Sequence, residues 1–229
     1  MARLAPLSPS LVWGTRLWRS QVRSGAFLRA ALAAVTLVLA GRAFDLFAFT
    51  PDPRRAGLLG VQSGALVGAA WTVVGPSILG GCRDADDGWT ATLRSSPVGT
   101  AGLWWGGWGA QMGAGLALWI LSMLTTIVFS TLAHSPASIP AAGVVGGLLA
   151  VVVPGLVASA VASWAGGLLG AVAGFASFAL GQVGGLGPLR ALGPGAVGAT
   201  WDVTELARTG GLALAAVAAT TAGLRRLRL

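Results

Sequence analysis

The chain has 229 residues, 55% of them hydrophobic and only 10% charged, with a mean hydropathy of +0.77 and a formal charge of +8. A soluble domain carries about 25% charged residues, so this composition excludes an ordinary soluble fold and puts the chain among membrane proteins. All 15 basic residues are arginines, set at the ends of apolar segments rather than in a patch, which argues against nucleic acid as a partner.

Cys82 is the only cysteine, so neither an internal disulfide nor a cysteine-clustered metal site can form. Pro6 and Pro9 make the first ten residues read as a tail. The leader after it, 10–25, reads as an amphipathic interfacial helix. Arg16, Arg19 and Arg23 share one face of it, and Leu11, Trp18 and Val22 share another. A cleaved signal peptide competes for this end, but a charged leader of 29 residues is long for one.

Six apolar spans follow, at 27–47, 56–80, 103–132, 141–160, 164–183 and 206–224. From Ser95 to Leu189 there are 95 residues without Asp, Glu, Lys or Arg; one crossing needs roughly 20, so this run holds several. The first span ends at Thr50-Pro51-Asp52-Pro53 and carries Arg42 and Asp45. Counting ~1.5 Å per residue from Arg29 sets Arg42 roughly 20 Å into a ~30 Å core. At spacing i, i+3 the two can pair on one face. Either the pair marks a substrate path, because intramembrane charge is expensive, or both side chains snorkel to the outer surface, which is the simpler expectation.

Gly60, Gly64 and Gly68 in the second span, and Gly166, Gly170 and Gly174 in the fifth, form ladders that let helices approach closely. Trp104 to Trp108 opens the third span and reads as an aromatic belt at the cytoplasmic interface rather than a haem site. His134 stands alone in an outer loop, where no ligand role is expected. The stretch 184–205 is too rich in Gly and Pro for a straight span and reads as an outer re-entrant or loop segment. Arg208 and Arg225 flank the short sixth span.

Arginine counts set the orientation. With the N-terminus inside, ten fall on cytoplasmic segments (Arg3, Arg16, Arg19, Arg23, Arg29, Arg83, Arg94, Arg225, Arg226, Arg228) against five outside. The positive-inside rule then puts both termini in the cytoplasm of an inner (plasma) membrane protein.

The segment "CRDADDGWTATLRSSPVG", Cys82 to Gly99, therefore also faces the cytoplasm. Three of the seven acidic residues, Asp84, Asp86 and Asp87, fall here. They stand where a short helix, 84–96, would begin, and Arg94 stands in its last turn, both favoured by the helix dipole. Ser96-Pro97 then stops it and starts the next helix. A plain solvated loop is the competing reading.

At these residues the sequence resembles the permease subunits of type-2 ABC exporters. Gly88 and Pro97 have the family's spacing, and "LRSSPVGTAGLWWG" is similar to the drug- and lipid-exporter branch at Arg94, Ser95, Pro97 and Gly106, with Leu93 in place of a Phe. Gly60 to Gly75 also resembles that branch. Trp89, Thr90 and Ala91 depart from the usual residues after the Gly, and the Asn-Pro motif before the last span is replaced by Gly193-Pro194.

The resemblance implies an all-α fold: one transmembrane permease domain over 1–229, with six spans, an interfacial helix and a short cytoplasmic coupling helix. Asp84, Asp86, Asp87, Gly88, Leu93, Arg94, Ser96 and Pro97 would dock a separate ATPase subunit, which would hold the ATP and Mg. A permease homodimer or related heterodimer in membrane lipid is implied, moving an amphiphilic drug-like or lipid substrate. The chain itself is not expected to be an enzyme, because a P-loop needs Gly-x-x-x-x-Gly-Lys and there is no lysine. Nor does it show a cofactor site. The haem-exporter permease of cytochrome c maturation is an alternative, sharing the chain length and the spacing of Asp87, Gly88, Ser96 and Pro97. A non-transporting membrane scaffold, packed through its glycine ladders, is another.

Overall fold

The computed structural model describes residues 9–48, 53–84, 99–135, 137–139, 141–183 and 203–226, and among these it is all-α. In chain order the helices are α1 Pro9–Val22, α2 Gly25–Ala48, α3 Pro53–Asp84, α4 Gly99–Leu132, α5 Ala141–Ala165, α6 Gly167–Val183 and α7 Val203–Arg226. Four stretches, Gly25–Phe47, Ala56–Gly75, Ala101–Leu132 and Gly143–Ala165, are long and apolar enough to cross a bilayer; Gly167–Leu180 is apolar but shorter. Large side chains point outward: Phe47 is 92% and Leu168 80% exposed. An apolar exterior of this kind would associate in water and is solvated by lipid, so the chain is a membrane-embedded helical protein.

Ser24 separates α1 from α2. Its hydroxyl donates to Gln21 O (2.6 Å) and accepts from Phe27 N–H (3.1 Å), so one side chain closes the first helix and caps the second. The expected interfacial helix thus ends at Val22. α2 runs antiparallel to α3, with Phe27 edge-on to Trp71 at 5.6 Å near one end and Gly41 against Leu59 nearer the other.

The first glycine ladder is a packing face. A Cβ at Gly60 would collide with Thr126, one at Gly64 with Ser122 and Trp119, and one at Gly68 with the Gly115 carbonyl and Val151. As positions on α3 rise, their partners on α4 fall, so these helices are antiparallel and almost in backbone contact. With lipid outside and protein inside equally apolar, this close van der Waals fit is what favours association. α5 joins the same core through Gly147, which lies under Trp119 and Val61.

Pro154 interrupts α5. Its missing N–H leaves the Ala150 carbonyl without a helical donor and opens the ladder there. Beside the opening, Thr72 Oγ1 lies 2.8 Å from Val151 O and 3.0 Å from its own Ala69 O, sharing one proton between two buried carbonyls.

α5 turns into α6 at a single residue, Gly166, whose φ of 91° is left-handed and favours glycine. The helices then run back along each other. A Cβ at Gly170 would lie 2.6 Å from Ala162 Cβ, and one at Gly174 2.9 Å from Ala158 Cβ. Only two rungs of the second ladder therefore pack; Gly166 makes the turn. The fourth span also reaches Ala165 rather than about 160, and the fifth starts at Gly167.

α7 lies along α5, with Gly223 under Ser163, Trp164 Nε1–H donating to Ala219 O (2.8 Å) and Arg226 stacked 4.3 Å over the Trp164 ring. Trp104 corrects the belt reading. It is buried with Ala162 and Leu224, and its Nε1–H donates to Ser159 Oγ at 2.7 Å. Trp105 and Trp108 meet edge to face at 5.7 Å and stay half-buried. One end of the bundle thus collects the N-terminal part of α4, the Gly166 turn and the C-terminus of α7.

Candidate functional site

At the opposite end of the bundle, α4 stops at Leu132 in a Schellman cap. Ser135 N–H donates to Ser130 O (2.9 Å) and His134 N–H to Thr131 O (3.2 Å), with His134 left-handed at φ 49°. The cap brings Ser130 and Ser135, five positions apart, to one side of the helix end. Both hydroxyls face the Arg42 guanidinium of α2. Arg42 Nη2–H lies 3.2 Å from Ser130 Oγ, 3.3 Å from Ser135 Oγ and 3.5 Å from Ser135 O, while Nη1–H donates to Asp45 Oδ2 at 3.0 Å.

Arg42 is 0% exposed and Asp45 1%, which overturns the snorkelling expectation. Snorkelling needs a route to water, and the α4 cap lies across it. A buried charge persists only when paired and hydrogen-bonded. Here a carboxylate one turn along the same helix takes Nη1–H and a helix cap supplies acceptors for Nη2–H, while the buried Nε–H has no hydrogen-bond partner. The pair is enclosed by protein. The cluster's chemistry is therefore positional: it ties the C-terminal part of α2 to the end of α4.

A second tie lies beside it. Ser138 N–H donates to Pro53 O at 2.8 Å, and the Ser138 carbonyl lies directly on Gly57, where a Cβ would collide with it. The α4–α5 connection is thus fastened to α2 through Arg42 and to the first turn of α3 through Pro53 and Gly57.

Among the described residues no group of three or more His, Cys, Asp or Glu is arranged to hold a metal. His134 is exposed, serving as the cap residue.

The residues expected to dock an ATPase divide. Asp84 is the last residue of α3, not the first of a separate helix, because the α3 helix continues past Gly80. Asp86, Asp87, Gly88, Leu93, Arg94, Ser96 and Pro97 lie outside the described residues, as does 184–202 of the expected outer segment.

Reasoning from sequence found Arg42 and Asp45 and missed Ser130 and Ser135. The available signal was the run Ser130-Thr131 inside the last turn of an otherwise apolar helix, followed by His134-Ser135. Comparison of the chain with protein-family models, with curated proteins and with solved structures gives no match.

Proposed function

We propose that this chain is the membrane-spanning permease subunit of an ATP-driven exporter of the type-2 ABC class, moving an amphiphilic drug-like or lipid substrate. The observation that carries the reading is where 85–98 falls in the chain order. It links α3, which ends at Asp84, to α4, which begins at Gly99, two antiparallel helices in close contact. In the resembled family a cytoplasmic coupling helix occupies that link. With α6 and α7 as the fifth and sixth crossings, an interfacial helix precedes six spans and both termini share one side. The arginine-rich α1 and Arg225-Arg226 make that side cytoplasmic.

The energy source is a separate ATPase subunit, since the chain has no lysine for a P-loop. Asp86 and Asp87 are then contacts to that subunit, and one face of the bundle meets a second permease.

The test is purification of the tagged chain from its native membrane, with ATP hydrolysis measured before and after a wash that strips peripheral subunits. Hydrolysis is expected in the complex and absent from the stripped chain. Asp86→Lys with Asp87→Lys should lower ATPase recovery roughly thirtyfold, the effect of losing ~2 kcal/mol at an interface, with membrane insertion unchanged. Hydrolysis by the stripped chain, or full ATPase recovery with the double variant, would reject the reading. Haem absorbance in the intact complex would move the assignment to a haem exporter.

A further inference from the structure

We infer that the Trp119 indole is the polar anchor of a covered site for an amphiphile bearing a hydrogen-bond acceptor, and that the first half of α5, hinged at Pro154, is the cover. The inference needs only that the bundle sits in lipid, and it stands apart from the exporter reading.

Trp119 is 5% exposed and packs with Ala65, Ala150 and Val151. Its Nε1–H has no acceptor among the described residues. Trp104, buried to a similar degree, donates to Ser159, and the other unpaired indoles, Trp13, Trp71 and Trp108, belong to residues only half-buried. Trp119 precedes Leu132 by 13 positions, so it lies about 20 Å along α4 from the helix cap. That is deep in a ~30 Å hydrocarbon core, out of reach of water. A buried donor without a partner is costly and calls for a reason.

One glycine closes the N–H edge of the ring. A Cβ at Gly147 would lie 2.6 Å from Trp119 Nε1 and 2.7 Å from Val61 Cγ1. Gly147 belongs to the half of α5 that precedes Pro154. Over the first ten residues of that half the buried positions are Gly143, Gly146, Gly147 and Ala150, none with a side chain beyond a methyl group. This face therefore inserts no side chain between α3 and α4 and separates from them without unlocking. The opposite face, with Val144, Val145 and Leu148, is exposed to lipid. Pro154 removes a backbone hydrogen bond at one end of the arm and makes the bend there cheap. At the other end the arm is held by few polar ties, Ser138 N–H to Pro53 O and Arg42 Nη2–H to Ser135 Oγ. A smooth arm with a hinge at one end and hydrogen bonds at the other swings into lipid as a unit and uncovers Trp119.

What enters follows from what is uncovered. Val61, Ala65 and Ala150 wall the space with apolar groups, which suits a hydrocarbon chain. The indole N–H donates and cannot accept. The ligand class is thus a lipid-borne amphiphile with a carbonyl, ester or amide oxygen.

The experiment is NMR of the full chain, with nitrogen-15 in its tryptophan indoles, in detergent micelles. The probe is N,N-dimethyldodecanamide, which accepts and does not donate; dodecane is the control without an acceptor. The signal lost in Trp119→Phe identifies the Trp119 indole. The amide should move that proton signal downfield, and dodecane should not. Trp119→Phe should weaken the amide about fivefold to tenfold, the effect of one hydrogen bond, and dodecane by less than about twofold. Pro154→Ala restores the backbone bond at the hinge and should slow uptake of the amide, followed by the same signal, about fivefold.

An unmoved Trp119 signal at saturating amide, or equal amide affinity in Trp119→Phe, overturns the site. So does a uniform shift of every indole signal, which would report general solvation by the amide. Uptake unchanged by Pro154→Ala overturns the cover. Should Trp119→Phe disturb folding, Val61→Ala, which alters the wall beside that ring, identifies the signal instead, and the wild-type shift and the Pro154→Ala uptake still decide.

Discussion

Arg42 shows how one side chain can hold two helix ends when the environment forbids leaving it alone. Its value lies in being matched: Asp45 balances the charge, and Ser130 and Ser135 take further N–H groups. Arg42→Met should therefore cost about 3–5 kcal/mol, because it leaves Asp45 buried without its counter-charge. Arg42→Met with Asp45→Leu should recover most of that loss. Thermal unfolding in detergent checks both, and a double variant no better than the single would show that the pair's hydrogen bonds, not its charge, matter. His134 sits two positions past Leu132 with a left-handed backbone that costs an L-residue ~1 kcal/mol. His134→Gly should gain about 0.5–1 kcal/mol in the same assay, since the side chain is exposed and the cap asks only for φ > 0. Arg42 and Asp45 were legible as an i, i+3 pair of costly charges. Their burial was not, because it depends on a cap formed some ninety positions further along the chain (|i−j| of 88 for Ser130 and 93 for Ser135).

At the scale of the element, apolar run length and Gly/Pro punctuation located the helices closely, four of them long and apolar enough to span a bilayer, and the ends moved for identifiable reasons. α3 extends to Asp84, past Gly80 and Gly81, and a local charge argument cannot see that continuity. α5 and α6 are separated by one residue because Gly166 alone can take φ 91° and reverse the chain without a polar loop. The four-residue glycine spacing identified both packing faces without naming their partners. In the α5–α6 hairpin, a Cβ at Gly170 would lie 2.7 Å from Ala158 O and 2.6 Å from Ala162 Cβ, with backbone that cannot retreat. Gly170→Val should cost about 1–3 kcal/mol by overpacking, whereas Gly210→Val should be near neutral in packing. The measurement is the fraction of each variant remaining monodisperse after heating, and equal survival would show that the hairpin is looser than drawn.

For the whole molecule, the shared end of α1, the Gly166 turn and the C-terminus of α7 gives a topological prediction. In a Cys82→Ser background, a cysteine at His134 should react with a membrane-impermeant thiol reagent in intact cells. A cysteine at Leu229 should react only after permeabilisation, and labelling of both from outside would reverse the orientation argument. Composition by itself determined the solvent: with 10% charge and 95 consecutive uncharged residues, no fold could keep this chain in water. Hydropathy and breakers likewise determined the helical class and most helix limits, because each is a property of neighbours along the chain. Which helices touch, that Arg42 is enclosed, that Trp104 enters the core and that Trp119 lies against Gly147 were decided only by tertiary packing. In a membrane every one of these segments is apolar enough to face lipid. Partner choice rests on small-residue fit and on a few hydrogen bonds between residues distant in sequence, which no local pattern records.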